Sequence, residues 1–109
     1  MTSTPAPGDR RAAAPRLFDR TKGFAKDWDR LSRAGRHDLS RLKRAMLLLI
    51  ANDGPLGSEW SDHPLKGEWA RYRECHIGGD FLLLYRIEPR ERDEIVVFTR
   101  AGTHAELFE

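Results

Sequence analysis

Apolar residues at helical spacing predict a first helix near the start of the chain. Phe24, Trp28 and Leu31 recur at intervals of four and three residues, which places them on one face of a helix. Thr21 can cap the N-terminus with its side-chain oxygen, and Gly35 is suited to end the helix. The pattern therefore predicts a helix with one buried face between these two residues.

A second helix is predicted from about residue 37 to residue 51. Its apolar positions form a stripe along one face: Leu39, Leu42, Met46, Leu49 and Ile50. The turn-forming sequence Asn52-Asp53-Gly54-Pro55 follows directly and stops the helix. Two helices in close succession predict a helical hairpin.

Apolar runs in the second half of the chain predict three strands in a meander. Residues 71 to 76 alternate between polar and apolar, residues 81 to 87 are almost continuously apolar, and residues 94 to 100 form a third run. A continuous apolar run is typical of a central strand that is covered on both faces. Gly78-Gly79-Asp80 predicts the first hairpin turn, and residues 89 to 93 predict the second.

Two further segments complete the predicted architecture. Leu17-Phe18 marks a short N-terminal strand, and residues 53 to 70 form a long loop that holds two tryptophans and His63. Loops of this length without secondary structure are uncommon in compact domains and tend to be functional. The elements together predict an α+β domain in which an N-terminal strand and a helical hairpin accompany an antiparallel sheet.

The length of the chain limits it to one domain. With 109 residues and a mass of 12.5 kDa, it has room for a single modest core. Residues 1 to 14 contain no aliphatic residue larger than Ala after Met1, so they cannot bury enough surface to offset the entropy cost of ordering them. We therefore expect a disordered tail over residues 1 to 14 and a folded domain over residues 15 to 109.

Basic residues are concentrated in the first half of the chain. Residues 1 to 54 carry 12 Lys/Arg against 6 Asp/Glu, whereas residues 55 to 109 carry 7 against 11. On the predicted helices the cations lie outside the apolar stripes: Arg30, Arg33, Arg36, Arg41, Lys43 and Arg44. Two interpretations remain open, a solvated face interleaved with acidic residues or a surface that contacts nucleic-acid phosphates.

Neither a disulfide nor a membrane span is expected. Cys75 is the single cysteine, so it cannot form an internal disulfide. No apolar run approaches the ~18 residues of a membrane helix, and the N-terminus lacks the apolar core of a signal peptide. The expected compartment is therefore the cytoplasm.

Histidines and an arginine at the predicted strand ends are suited to RNA cleavage. Attack of a ribose 2′-hydroxyl on the adjacent phosphate needs a base, an acid and a cation beside the phosphorane. Histidine, with an ordinary pKa of about 6.5, offers both protonation states near neutral pH, and arginine grips phosphate with two N–H groups. If the meander pairs so that the turn at residues 76 to 80 and the segment from Arg100 to His104 lie at one end of the sheet, five residues can meet: His63, His76, Asp80, Arg100 and His104.

Each of these residues also has a purely structural interpretation. His63 precedes a proline and can be an ordinary surface residue of the loop. His76 can be a half-buried strand residue, and Asp80 can serve only to form the turn. His104 can cap free carbonyl groups.

Nearby side chains suggest two other uses. A zinc site built from Cys75, His76 and His104 is disfavoured, because adjacent strand residues point to opposite faces of a sheet. Phe81 and Phe108 can belong to the core or stack on an RNA base.

Several separated motifs resemble the YafQ-type branch of the RelE/ParE toxin superfamily. The resemblance covers residues 16 to 108 and rests on four segments in order: Asp62-His63-Pro64-Leu65-Lys66-Gly67-Glu68-Trp69, Tyr72-Arg73-Glu74-Cys75-His76-Ile77, Asp80-Phe81-Leu82-Leu83-Leu84-Tyr85 and Arg100-Ala101-Gly102-Thr103-His104-Ala105-Glu106-Leu107-Phe108. The basic helical hairpin followed by a meander also fits the RelE-like fold of that family.

The resemblance implies the toxin of a bacterial type II toxin–antitoxin pair, an endonuclease that cuts mRNA in the ribosomal A site. It assigns catalysis to His63, His76, Asp80, Arg100 and His104, with neither a metal nor another cofactor expected. The candidates for RNA binding are Lys66, Phe81, Phe108, Arg36, Arg41 and Arg44. Family members usually carry Trp at the position of Phe81, so this chain keeps a stacking face there but loses the indole donor.

The same resemblance predicts three kinds of partner. A cognate antitoxin is expected to dock on the helices or the sheet, with an acidic segment against the basic surface. The ribosome and its mRNA are the expected target. Operator DNA is expected to be bound by the toxin–antitoxin complex, chiefly through the antitoxin.

Two other functions are compatible with this fold. A ParE-like protein inhibits DNA gyrase by binding and needs no residues for proton transfer. A toxin-derived binding module would have lost cleavage altogether. The histidines and Asp80 speak against the gyrase inhibitor, and the binding module remains open.

Overall fold

A computed structural model describes residues 14 to 108 of the chain. The helices and strands are, in order, β1 (Leu17–Arg20), α1 (Lys22–Ala34), α2 (Leu39–Ala51), β2 (His63–Pro64), β3 (Arg73–Gly78), β4 (Phe81–Arg90), β5 (Asp93–Thr103) and α3 (His104–Phe108). Two short 3₁₀ turns, Ser58–Trp60 and Gly67–Trp69, flank β2. The predicted tail over residues 1 to 14 lies outside the described residues, apart from Ala14.

The described strands form one five-stranded mixed sheet in the order β1-β5-β4-β3-β2. The three strands β3, β4 and β5 make the predicted antiparallel meander, and β2 adds an antiparallel edge. β1 pairs with β5 in parallel, which makes the sheet mixed. The predicted α+β architecture is confirmed, with a helical hairpin packed on the sheet.

Both hairpin helices begin and end at capping residues that the sequence predicted closely. Thr21 accepts the N–H of Phe24 at 3.0 Å, and Gly35 ends α1 with a φ of 66°. Asp38 is the N-cap of α2, so this helix begins two residues later than predicted. Asn52 ends α2 in the left-handed conformation. At 13 residues each, neither helix is long enough to span a bilayer, and no other helix among residues 14 to 108 qualifies.

The core lies between the helical hairpin and one face of the sheet. On β4, the alternate residues Phe81, Leu83 and Tyr85 point into this core. Leu82 and Leu84 are also buried, but they do not belong to the same cluster of side chains. Since successive strand residues face opposite sides, β4 is covered on both faces, as its continuous apolar run predicts.

Two local predictions were wrong. The segment from residue 53 to residue 70 is not a structureless loop, because it contains β2 and two 3₁₀ turns, and Trp60 within it is 2% exposed. The second hairpin turn is also shorter than predicted. β4 continues through Pro89, which pairs with Glu94, because β3 no longer covers β4 at that point and the missing N–H costs no ladder bond there.

Candidate active site

One cleft at an end of the sheet is lined by two of the five predicted catalytic residues, His63 and His104, while His76 and Asp80 contact side chains of its lining. Its volume is about 360 Å³, and it is lined by His63, Pro64, Leu65, Lys66, Glu74, His104 and Phe108. A groove of about 390 Å³ beside α1 is as large, but it is lined by no histidine. The concentration of titratable side chains distinguishes the first cleft.

Strand pairing explains why residues far apart in sequence meet here. His63 on β2 is the register partner of Glu74 on β3, and Phe81 at the start of β4 is the partner of Thr103 at the end of β5. Asp80 and His104, the neighbours of that second pair, therefore come together. As predicted, the turn that carries Asp80 and the end of β5 that leads to His104 lie at the same end of the sheet.

Glu74 lies between two histidines. Its carboxylate oxygen Oε2 is 3.3 Å from Nε2 of His63 and 3.4 Å from Nε2 of His76. The other ring nitrogen of His63, Nδ1, is 2.8 Å from the carbonyl oxygen of Ser61. Glu74 is 4% exposed, so its carboxylate is largely shielded from water. Glu74 was not predicted as a site residue, although its i, i+2 spacing with His76 places both on one face of the strand.

His104 forms the other side of the cleft, with Asp80 beside it. The Nδ1 atom of His104 is 3.2 Å from a carboxylate oxygen of Asp80, and both side chains are more than half exposed. A carboxylate on Nδ1 favours the proton on that nitrogen and leaves Nε2 to meet a substrate. This pair resembles the way carboxylates orient histidines in many acid–base sites.

His104 is the first residue of α3, a helix that the sequence analysis did not predict. Thr103 and Glu106 hold its start by capping each other: the Thr103 N–H donates to Glu106 at 2.8 Å, and the Glu106 N–H donates to the Thr103 hydroxyl at 3.3 Å. Arg30 on α1 donates to Glu106 at 2.9 Å. These contacts fix the direction in which His104 leaves the sheet.

The loop before His63 is anchored by Asp62. Asp62 accepts two hydrogen bonds from Arg73, at 2.9 and 3.2 Å, and a third from the Tyr85 hydroxyl. Burial, together with the bond to Asp62, raises the pKa of Tyr85 above its ordinary value, so the phenol keeps its proton and remains a donor. The anchor ties the loop to β3 and β4 and so determines where His63 stands.

Arg100 does not line the cleft, although it belongs to the same row of the sheet. It pairs with Leu84, Leu84 pairs with Glu74, and Glu74 pairs with His63. Two strand spacings, about 10 Å, separate its backbone from that of Glu74. Its guanidinium is bound to Asp27 of α1, and this hydrogen bond raises the pKa of Arg100 above its ordinary value. The cation is therefore permanent and has a fixed position.

The predicted RNA-binding aromatic residues differ in their placement. Phe108 lines the cleft, and its ring lies 5.4 Å from His104 and 5.6 Å from the exposed Trp69. Phe81 does not offer a stacking face, because it is 2% exposed and its ring stacks on His37 at 4.4 Å. Lys66 lines the cleft.

The predicted basic surface is narrower than expected. Arg36 and Arg44 are exposed, but Arg41 has structural contacts of its own. The Arg41 guanidinium lies 4.1 Å from the centre of the Trp60 ring and donates to the carbonyl of Ile77. Arg41 therefore fastens α2 to β3, and this contact places the start of α2 near the turn that carries Asp80.

The side chains that could bind a metal are not those of the zinc hypothesis. Cys75 is buried in the core, and burial raises the pKa of its thiol to about 12, so it is not a free ligand beside His76. His63, Glu74 and His76 instead bring three ligand atoms within 4.8 Å of one another. Such a set can ligate a transition-metal ion, but the same atoms are those that proton transfer would need.

Residues 16 to 109 match the family model described as the bacterial toxin of type II toxin-antitoxin system, YafQ. The chain belongs to the YafQ family. The resemblance seen in the sequence motifs is thereby confirmed, and the fold of YafQ structures agrees with it.

Relatives of known structure or name share most of the YafQ domain. The mRNA interferase toxin YafQ of Escherichia coli strain K12 is 40% identical over 79 residues, which cover 72% of this chain and 82% of that protein. The toxin in the crystal structure of the E. coli DinJ-YafQ toxin-antitoxin complex is 35% identical, with a TM-score of 0.75, covering 87% of this chain and 99% of that one. A metal-bound toxin from Helicobacter pylori is 34% identical, with a TM-score of 0.71, covering 85% of this chain and 99% of that one.

Proposed function

We propose that this YafQ-family toxin is an mRNA endoribonuclease that acts on the ribosome and thereby inhibits translation in the cytoplasm. The observation that carries the proposal is the cleft in which the His104–Asp80 pair faces Glu74 and its two histidines. Family membership supports it, because the E. coli relative is named an mRNA interferase. A protein that acted only by binding would have no need of this arrangement.

The proposed reaction is attack of a ribose 2′-hydroxyl on the neighbouring phosphorus. A base takes the 2′-hydroxyl proton, the new O–P bond forms, and the bond to the 5′-oxygen breaks as an acid protonates that oxygen. The products carry a 2′,3′-cyclic phosphate and a free 5′-hydroxyl. His63 or His76 serves the 2′-hydroxyl, Asp80 orients His104 as the general acid, and Arg100 stabilises the phosphorane.

The shape of the site supports the proposed dependence on the ribosome. The cleft is open and small, so it has few contacts with which to force an RNA strand into the in-line geometry of attack. Orientation of this kind can lower a barrier by roughly 7 to 11 kcal/mol. The ribosomal A site would supply this orientation, and the toxin would add proton transfer and charge.

The proposed partner that restrains the toxin is a cognate antitoxin protein. The E. coli relative has been crystallised as a DinJ-YafQ toxin-antitoxin complex, and a similar arrangement is proposed here. Exposed Leu47 and Leu48 on α2 offer apolar surface, and the neighbouring cations suit an acidic antitoxin segment. Binding of operator DNA is proposed to occur chiefly through the antitoxin.

A cell-free translation reaction with one defined mRNA tests the proposal. The purified toxin should cut that mRNA only while it is being translated, and the fragments should carry the two ends given above. Primer extension locates the cuts, and an inhibitor of initiation serves as the control for ribosome dependence. Intact mRNA, combined with inhibition of gyrase supercoiling in a parallel reaction, would replace the nuclease with a ParE-like function.

Arg36 and Arg44 are proposed to contact ribosomal RNA, and their removal should weaken binding. Each phosphate contact that is lost should reduce the slope of log affinity against log salt by about 0.7 to 0.9. The single-turnover rate constant of the bound toxin should not change, because neither side chain lines the cleft. Binding is measured by sedimentation with ribosomes at several salt concentrations, and cleavage is measured at saturating toxin.

Arg92 provides a matched control for this experiment. It is an exposed arginine in the β4–β5 turn, at the opposite end of that hairpin from Asp80 and His104. Its replacement by alanine removes the same charge and should leave the salt slope unchanged. An equal loss for all three variants would mean that only net charge matters and that no basic surface is specifically used.

A further inference from the structure

Asp27 is a buried carboxylate on α1 that the proposed reaction does not use directly. It accepts four hydrogen bonds: from Nε (2.6 Å) and Nη2 (3.1 Å) of Arg100, from Nη2 of Arg30 (3.0 Å) and from the backbone N–H of Ala101 (3.0 Å). The residue is 4% exposed. Four donors occupy about all the acceptor positions of a carboxylate, so the group has one orientation.

The position of Asp27 follows from the edge of the sheet. β1 ends at Arg20, opposite Phe98, and leaves the rest of β5 without a neighbouring strand on that side. Asp27 accepts the N–H of Ala101 on the side where β5 has no neighbouring strand, and Arg30 donates to the Ala101 carbonyl at 3.3 Å. Completion of the edge accounts for the bond to Ala101. It does not account for the two bonds to Arg100.

The hydrogen bonds to Asp27 occupy one edge of the Arg100 guanidinium and leave the other edge unbound. Nε and Nη2 face the carboxylate, whereas Nη1 has no hydrogen-bond partner among residues 14 to 108. The side chain is 37% exposed, so the free edge is open to a ligand. Because the group is planar and rigid, holding one edge fixes the direction of the other.

The approach of Arg100 to α1 leaves little room for movement. Its Cδ passes the start of the helix so closely that a Cβ on Gly23 would lie 3.0 Å from it. A methyl group there would force the arginine to shift by a few tenths of an ångström. Gly23 therefore accommodates the arginine, while Asp27 holds its far end.

We infer that Asp27 is a positioning residue for the proposed reaction. Its hydrogen bonds to Arg100 direct the free edge of the guanidinium towards the scissile phosphate. This inference rests on the nuclease function proposed above. The chemistry of the ligand at that edge is a phosphodiester oxygen in its phosphorane form, which a guanidinium binds with two parallel N–H groups.

Asp27→Asn tests the inference because it keeps the shape of the side chain but removes the charge and one acceptor. Single-turnover cleavage of mRNA on programmed ribosomes should slow by about 100-fold, the cost of an ångström-scale misplacement. The toxin concentration for half-maximal cleavage should stay the same. Asp29→Asn is the matched control, an exposed aspartate on the same helix, and should cut at the wild-type rate.

The Arg100→Ala background separates positioning from stability. If Asp27 acts through Arg100, Asp27→Asn should have no further effect on cleavage in that background. A loss of the same factor in both backgrounds, in step with a lower unfolding temperature, would show that Asp27 only stabilises the fold. If the wild type cuts and Asp27→Asn cuts equally fast, the positioning role is wrong while the nuclease function stands. If the wild type does not cut, both proposals fail.

Gly23→Ala keeps the test valid even if Asp27→Asn does not fold. Alanine has a better helix propensity than glycine, so this variant should unfold at or above the wild-type temperature. Its cleavage should nevertheless slow by roughly tenfold, because Arg100 is displaced by less than an ångström. Wild-type cleavage by a stably folded Gly23→Ala variant would show that cleavage does not depend on the exact position of Arg100. A positioning role for Asp27 would then be wrong.

Discussion

Replacing His104 by alanine is expected to slow mRNA cleavage by about 100- to 10,000-fold, the usual contribution of a general acid or base. The expectation rests on the Asp80 contact to Nδ1, which leaves Nε2 as the atom that exchanges a proton with the substrate. The variant should be as stable as the wild type, because the His104 side chain is 53% exposed and alanine suits the first turn of α3. Single-turnover cleavage on programmed ribosomes measures the loss, and thermal unfolding verifies the fold.

His37 supplies the matched control for His104. It is a histidine outside the cleft, and its ring stacks on Phe81 in the interior. His37→Gln should alter stability while the cleavage rate of the folded protein stays within a few-fold of wild type. Near-normal cleavage by His104→Ala would remove the general acid from the proposed mechanism, and growth arrest on expression of that variant would confirm the result in cells.

The helices and the central strand could be predicted because their signals are local. Thr21 and Gly35 are capping residues whose side chain or backbone freedom acts within one turn of helix, so the sequence alone reveals them. The apolar run of β4 likewise reports its burial directly. The parallel pairing of β1 with β5 has no such signal, since it joins Leu17 to Ile95 across most of the chain.

The candidate site was predicted in part, because some of its residues are recognisable by residue type and others only from the strand register. His63, His76 and His104 are conspicuous as residue types, and the expected pairing of the meander brings the turn at residues 76 to 80 and the segment from Arg100 to His104 to one end of the sheet. Glu74 was missed because a glutamate in a strand is ordinary until the register shows that it stands opposite His63. Asp27 was missed for a related reason, since the helix pattern of α1 treats it as a solvated residue.

The short helix α3 was missed although its signal was present. Five residues are too few for hydrophobic periodicity, which is the main guide to helices. Thr103 and Glu106 have the spacing of a capping box, and that pattern alone could have revealed the helix start. The remaining support comes from Arg30, which lies 76 residues away in sequence and cannot be found locally.

Trp60→Ala is expected to lower the free energy of unfolding by about 3 to 5 kcal/mol, the usual cost of truncating a large buried aromatic residue. The sequence placed Trp60 in a loop, yet the structure buries it in the core under the Arg41 guanidinium. The substitution leaves a cavity and also removes the ring that Arg41 contacts. A domain of this size is stabilised by about 5 to 15 kcal/mol, so the loss takes a large share of the total.

Urea denaturation followed by the fluorescence of the two remaining tryptophans measures this loss. Trp69→Ala is the control, because Trp69 is 36% exposed and its ring packs on the rings of Tyr72 and Phe108. Its free energy of unfolding should fall by no more than about 1 kcal/mol, as is usual away from the core. Equal losses for the two variants would contradict the central role of Trp60. A much larger loss for Trp60→Ala would mean that Trp60 anchors the segment carrying His63 in the hydrophobic core. The position of His63 in the site would then depend on core packing.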